Sequence, residues 1–97
     1  MPSPDYQASR TGDTISIAGQ LDFQTATSAV ERVVELMQEP GDLVIDLAGV
    51  TNSNSAALAL LIEWLAVAQR ENRQLSFTNV PDSLRQISSV CQVDSLI

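Results

Sequence analysis

The spacing of apolar residues changes several times along the chain, and each change predicts an element. In "TISIAG" at 14–19, Ile15 and Ile17 alternate with Thr14 and Ser16, the period-two pattern of a half-buried strand. Gly12 and Asp13 are turn residues just before it, so "DYQASR" at 5–10 is expected to form the first arm of a hairpin. From "QLDFQTATSAVERVVELMQEPG" onward the spacing becomes helical, with apolar positions at Ala26, Ala29/Val30, Val33/Val34 and Met37. Asp22 is a suitable cap for that helix and Pro40-Gly41 a stop. "DLVIDLAGV" at 42–50 is apolar almost without interruption, which predicts a central strand covered on both faces.

A second helix is expected to begin near Ser55 and end near "RENRQ" at 70–74. "LSFTNV" at 75–80 alternates again as a strand. Pro81 then opens a third helix, with Leu84, Ile87 and Val90/Cys91 on one stripe. Val93 to Ile97 could add an edge strand. Strands alternating with helices indicate one α/β domain over 1–97, a mixed and mostly parallel sheet of four to five strands flanked by three helices.

The second helix is unusual because it carries two apolar stripes. Leu58, Leu61, Ile62, Leu65 and Ala68 share one arc, enough to face a sheet, while Ala57, Leu60, Trp64 and Val67 form another more than a quarter turn away. Only Ala59, Glu63, Ala66 and Arg70 make a face suited to water. The second stripe either packs under a neighbouring helix, the more frequent meaning of such a pattern, or forms a docking surface with Trp64 as its aromatic anchor.

Composition narrows the chemistry. With 44% hydrophobic residues, 97 residues suffice for a core without metal or disulfide staples. Twelve acidic residues against five arginines and no lysine give a net charge of −7, the wrong sign for binding nucleic acid. The absence of histidine, the single Cys91 and the absence of lysine remove zinc ligand sets, Cys/His and Ser/His pairs, phosphate loops of the Walker type and Schiff-base amines. No catalytic residue, metal or cofactor is therefore expected. The start lacks the basic and apolar regions of a signal peptide, and the uncharged apolar run Ala56 to Ile62 is far short of the roughly 18 to 20 residues a membrane span needs. A cytoplasmic protein is expected, meeting a membrane only through partners.

Ser53, Asn54 and Ser55 each suit an N-cap, whose side-chain oxygen accepts a bond from an unpaired amide of the first turn. A helix N-terminus would equally accommodate a phosphate added to Ser55, bringing about −1.5 to −2 charge to any partner surface.

"TGDTISIAGQLDF" at 11–23, together with "LVIDLAGVTNSNSAALALLIEWLAVAQRENRQLSFTNVPDSLRQI", resembles a STAS domain, the fold of the anti-sigma factor antagonists, over nearly the whole chain and in the same element order. The "TGDT" opening, the "LALLI" helix start and the short stand-alone length are most similar to the small STAS subunit of the Mla phospholipid-transport ABC system. That resemblance implies a non-enzymatic accessory subunit that binds the ATPase subunit of an inner-membrane transporter maintaining outer-membrane lipid asymmetry in Gram-negative bacteria. It also implies a role for Ser55, which stands where the antagonist branch places its phosphorylated hydroxyl. That branch usually reads Asp-Ser-Ser-Gly-Leu. Here Asn54 replaces the acid and Ala57 the glycine, removing a charge a kinase could read and adding a methyl to the first turn. Ser55 is thus either a phosphorylated switch, as in an anti-sigma factor antagonist, or a contact hydroxyl. The partner-binding candidates are Ser55, Asn54, Leu60, Trp64 and Val67.

Overall fold

The computed structural model describes residues 6–39, 41–53 and 55–90, with the side chains of 52, 53 and 87–90 outside that description. Along the chain run β1 (Tyr6–Thr11), β2 (Thr14–Leu21), α1 (Ala26–Leu36), β3 (Leu43–Ser53), α2 (Ser55–Arg70), β4 (Leu75–Thr78) and α3 (Asp82–Val90). The four strands form one sheet in the order β1-β2-β3-β4, antiparallel between β1 and β2 and parallel elsewhere. This is the mixed, mostly parallel α/β architecture expected, with β3 inside the sheet. The tail at 93–97, expected as an edge strand, lies outside the described residues.

The period-two pattern explains the two faces of the sheet. Register aligns Ile15, Ile45 and Phe77 in one row and Ser9, Ser16, Asp46 and Thr78 in the next. The first row belongs to the core, where Ile15, Ile17, Leu43, Ile45 and Leu47 are buried with Val33 and Met37 of the α1 region and Leu61 of α2. The second row is polar. The expectation that β3 is covered on both faces is corrected here: Val44 and Asp46 are only half-buried and Ala48 is exposed. Their neighbours in register are hydroxyl-bearing (Thr14, Ser16, Ser76 and Thr78), so that face is solvated, as one face of a two-layer sheet can be.

On the solvated face Asp46 fixes the corner after β4. Its Oδ1 accepts bonds from the Ala48 amide at 2.9 Å and from Asn79 Nδ2 at 3.0 Å. The Asn79 bond, and then the Ala48 bond, hold the Asp46 carboxyl below its ordinary pKa. Asn79 itself sits at φ 55, a left-handed conformation that asparagine tolerates. Where the register of β2 against β3 shifts between Ser16 and Ala18, a Cβ at Gly49 would stand 2.7 Å from Ala18 Cβ, so the two strands approach closely there only because residue 49 has no side chain.

Helix α1 ends at Leu36, ahead of the Pro40-Gly41 stop; Pro40 lies outside the described residues. No basic residue occupies the last turn of α1. Two arginines from elsewhere serve the carbonyls at and just beyond its end instead. Arg10 donates from Nη1 to Leu36 O at 2.9 Å and to Glu39 O at 3.3 Å, and Arg73 donates to Met37 O and, at 3.3 Å, to Gln38 O. Cations at the negative end of the helix satisfy carbonyls that have no partner within it.

Candidate partner-docking site

The register pairs Leu21 with Ser53, so β2 and β3 end side by side. The turn that follows β2 and the helix that follows β3 therefore emerge at the same rim, the carboxyl ends of two parallel strands, where open α/β sheets place their binding sites.

The turn is braced by its own side chains. Asp22 Oδ1 accepts from the amides of Gln24 at 2.9 Å and Thr25 at 3.1 Å, while Thr25 Oγ1 accepts from the Asp22 amide at 3.1 Å and donates to Gln20 O at 3.1 Å. Asp22 thus holds the turn leading into α1, and the cap position itself belongs to Thr25, whose side chain makes no capping bond to the helix. At the tip of this turn Phe23 is 74% exposed. Sequence periodicity missed it because position 23 falls between the strand and helix patterns; an aromatic residue outside both periods, in a chain with only four aromatics, was the available signal.

Across the rim Ser53 is the last residue of β3 and Ser55 the first of α2, and Ser55 is exposed. Asn54 lies outside the described residues. The exposed face of α2 continues from Ser55 through Ala59 to Ile62 and Glu63, spacings that keep one side of a helix. Glu63 pairs with Arg70 at 3.7 Å, both side chains half exposed or more, an ion pair of little energetic weight.

Three partner-binding expectations are corrected. Leu60 is 3% exposed, Trp64 0% and Val67 8%, so the second stripe of α2 is core and presents no docking surface. The reason is that α2 packs against both α1 and α3, which widens its buried arc beyond one face. The first stripe is correspondingly tilted outward: Leu58, Leu61 and Ala68 are buried, but Leu65 is half-buried and Ile62 is 36% exposed. Ala57, at 0% exposure, also directs its methyl inward and does not obstruct the mouth of the helix. Trp64 Nε1 is a buried donor with no hydrogen-bond partner among the described residues.

The rim offers an exposed aromatic, a hydroxyl and a strip of small and apolar residues. Among the described residues no group of three His, Cys, Asp or Glu could hold a metal ion, and no helix is long and apolar enough to cross a membrane.

Comparison with known proteins agrees with this geometry. The family model described as "Mlab, STAS domain" matches residues 5–97. A STAS-domain containing protein of Pseudomonas aeruginosa is 33% identical over 99 residues, covering 99% of this chain and 91% of that protein. Among solved structures, the anti-sigma factor antagonist SpoIIAA in its unphosphorylated form superposes with a TM-score of 0.72 at 10% identity, over 93% of this chain and 83% of that one. An anti-sigma factor antagonist from Mycobacterium paratuberculosis gives a TM-score of 0.70 at 19% identity, over 100% and 87%. These two likenesses concern the fold.

Proposed function

Because this chain belongs to the STAS-domain family, we propose that it is a non-enzymatic accessory subunit, cytoplasmic and peripheral to the inner membrane, that binds the ATPase subunit of a phospholipid-transport ABC complex and supports its assembly or activity. The observation that carries this reading is the rim itself: Phe23 exposed on a braced turn beside the exposed Ser55 face of α2, in a chain without histidine or lysine. An aromatic side chain held in water by a hydrogen-bonded turn gains most when a partner covers it, and such side chains dominate interface energetics. The description of the matching family model supports the choice of transporter.

The test is affinity capture of the tagged full-length chain from membranes of its native host. Mass spectrometry should identify a transporter ATPase, and Phe23→Ser or Ser55→Arg should lose it while the circular dichroism spectrum is unchanged. A second reading, an anti-sigma factor antagonist switched at Ser55, draws on the exposure of that hydroxyl at the first residue of α2, where a phosphate would meet the positive end of the helix. Recovery of only a soluble serine kinase, with Ser55 gaining a phosphate by intact mass under stress, would replace the transporter reading with this one.

A further inference from the structure

The outer edge of β1 is a second surface, built independently of the rim. Thr11 faces Thr14, so Gly12 and Asp13 are the whole hairpin turn, and Gly12 at φ 61 supplies the left-handed first position that a two-residue turn of this kind requires. In such a hairpin the pair flanking the turn exchanges both backbone hydrogen bonds, and bonded pairs alternate from there. Thr11, Ser9 and Gln7 therefore direct their N–H and C=O groups toward β2. Arg10, Ala8 and Tyr6 direct theirs away from the sheet, and among the described residues no strand pairs with them.

Few guards protect this edge. β1 is six residues long, contains no proline or lysine, and runs in register with β2 without a bulge, and its one charge, Arg10, is engaged by Gly12 O and Leu36 O. Beside it lies an open cleft of about 570 Å3 between β1 and α1. The Tyr6 hydroxyl and Ser28 Oγ share a hydrogen bond of 2.6 Å in the cleft, and Glu31 and Glu35, one helical turn apart, line its wall. Arg32 also lines the cleft and contacts Glu35 at 3.3 Å, but the two side chains are about half and mostly exposed, so the pair is weak and readily exchanged for another cation. A second copy is a poor occupant, because each chain carries a net charge of −7.

We propose that the β1 edge is a strand-addition site for an extended, basic segment of a partner protein, pairing with Tyr6 and Ala8 and placing lysine or arginine against Glu31 and Glu35. Main-chain bonds would supply affinity and the acidic wall specificity, as in other strand-addition complexes. The proposal holds whichever complex the chain joins through Phe23 and Ser55.

The test is a titration of the 15N-labelled full chain with a blocked hexapeptide alternating lysine and valine. The Tyr6, Ala8 and Arg10 amide resonances should shift, and the outward amides should exchange with solvent about tenfold more slowly. Ala8→Pro removes an outward donor and should abolish the effect. Should that variant fail to fold, Glu31→Lys with Glu35→Lys leaves the strand intact and should weaken binding at least about fivefold. Phe23→Ser should bind the peptide normally. Equal binding of a glutamate–valine peptide, shifts centred away from β1 and α1, no shift at millimolar peptide, or dimerisation of the chain through β1 would each overturn the proposal.

Discussion

Replacing Trp64 separates the two readings of α2, because a core residue and a docking anchor respond differently to the same change. Trp64 is fully buried and its Nε1 donor is unpaired among the described residues. Phenylalanine at this position deletes three ring atoms, a loss of about 1–2 kcal/mol from buried area. It also removes a buried donor without a partner, which relieves about 1–3 kcal/mol. The two terms oppose each other, so Trp64→Phe should fall between a loss of about 1 kcal/mol and a gain of about 2 kcal/mol. Trp64→Ala has no such offset and leaves a cavity, so it should cost about 3–5 kcal/mol. Against a total of roughly 5–15 kcal/mol for a domain, that is a large fraction.

Urea unfolding followed by circular dichroism measures both variants, since Trp64 is the sole tryptophan and its fluorescence disappears with it. The wild type should show emission shifted to the blue in the folded state and moving to the red on unfolding. A loss above about 3 kcal/mol for Trp64→Phe would mean that Nε1 is hydrogen-bonded after all, and the burial argument would fail at that atom. A Trp64→Phe protein with unchanged stability but no capture of the proposed partner would return the indole to the interface and refute its assignment to the core.

Four other perturbations probe the remaining structure. Phe23→Ser should leave stability within about 0.5 kcal/mol of wild type by urea unfolding, since the side chain is exposed, while capture of the partner falls. Arg73→Ala removes charge-assisted bonds to the Met37 and Gln38 carbonyls that follow α1, from a side chain only 14% exposed, and should cost about 1.5–3 kcal/mol, with faster amide exchange at the end of α1. For Asp46 the sign follows from its lowered folded-state pKa: its stabilisation is complete above the ordinary value of 3.8 and is lost as pH falls through the lower folded value. Asp46→Ala should therefore be less stable than wild type at neutral pH, with the gap closing only in strong acid. Gly49→Ala should be destabilising because its methyl meets Ala18 at 2.7 Å, and Ala18→Gly in the same chain should restore part of the loss.

Local patterns announced the elements well because each element is amphipathic along its own axis. Ile15 and Ile17 mark β2, and Ala29, Val33 and Met37 mark the buried side of the α1 region, with no information from elsewhere needed. What a spacing does not contain is the identity of the neighbour. The two stripes of α2 are equally regular, yet Leu60, Trp64 and Val67 are core only because α3 joins α1 in packing against the helix, and Ile62 turns outward for the same reason. β3 likewise runs to Ser53, beyond its apolar run, because parallel pairing with Gln20 and Leu21 carries the polar residues Asn52 and Ser53 along. Phe23 belongs to neither period. Its role depends on the turn locked by Asp22 and Thr25 and on a strand end that only the register reveals. Arg10 and Arg73 reach α1 across 26 and 36 positions of sequence, distances at which no local pattern carries information.

The two ends of the sheet are held by different means, and this bears on what partner binding can do to the domain. At the amino ends of the parallel strands, arginines clasp the end of α1 through long-range bonds, and the Leu43 amide bonds to Gln74 O and the Val44 amide to Asp13 O. At the carboxyl ends the braces are local: Asp22, Thr25 and Gln20 bond among themselves, and Phe23 and Ser55 stand exposed. A surface braced locally can be altered at its exposed side chains without releasing the core, so Ser55 and Phe23 are free to serve recognition. Thr25, which is 7% exposed and bonds to both Asp22 and Gln20, is the point where the two requirements meet. Thr25→Val keeps the shape but removes those bonds, leaving a half-buried amide and carbonyl without the Thr25 hydroxyl. It should both destabilise the domain by about 1–3 kcal/mol and weaken partner capture by loosening the turn that presents Phe23. If Thr25→Val lowered stability by that amount and captured the proposed partner as well as wild type, preorganisation of the turn would have no part in binding.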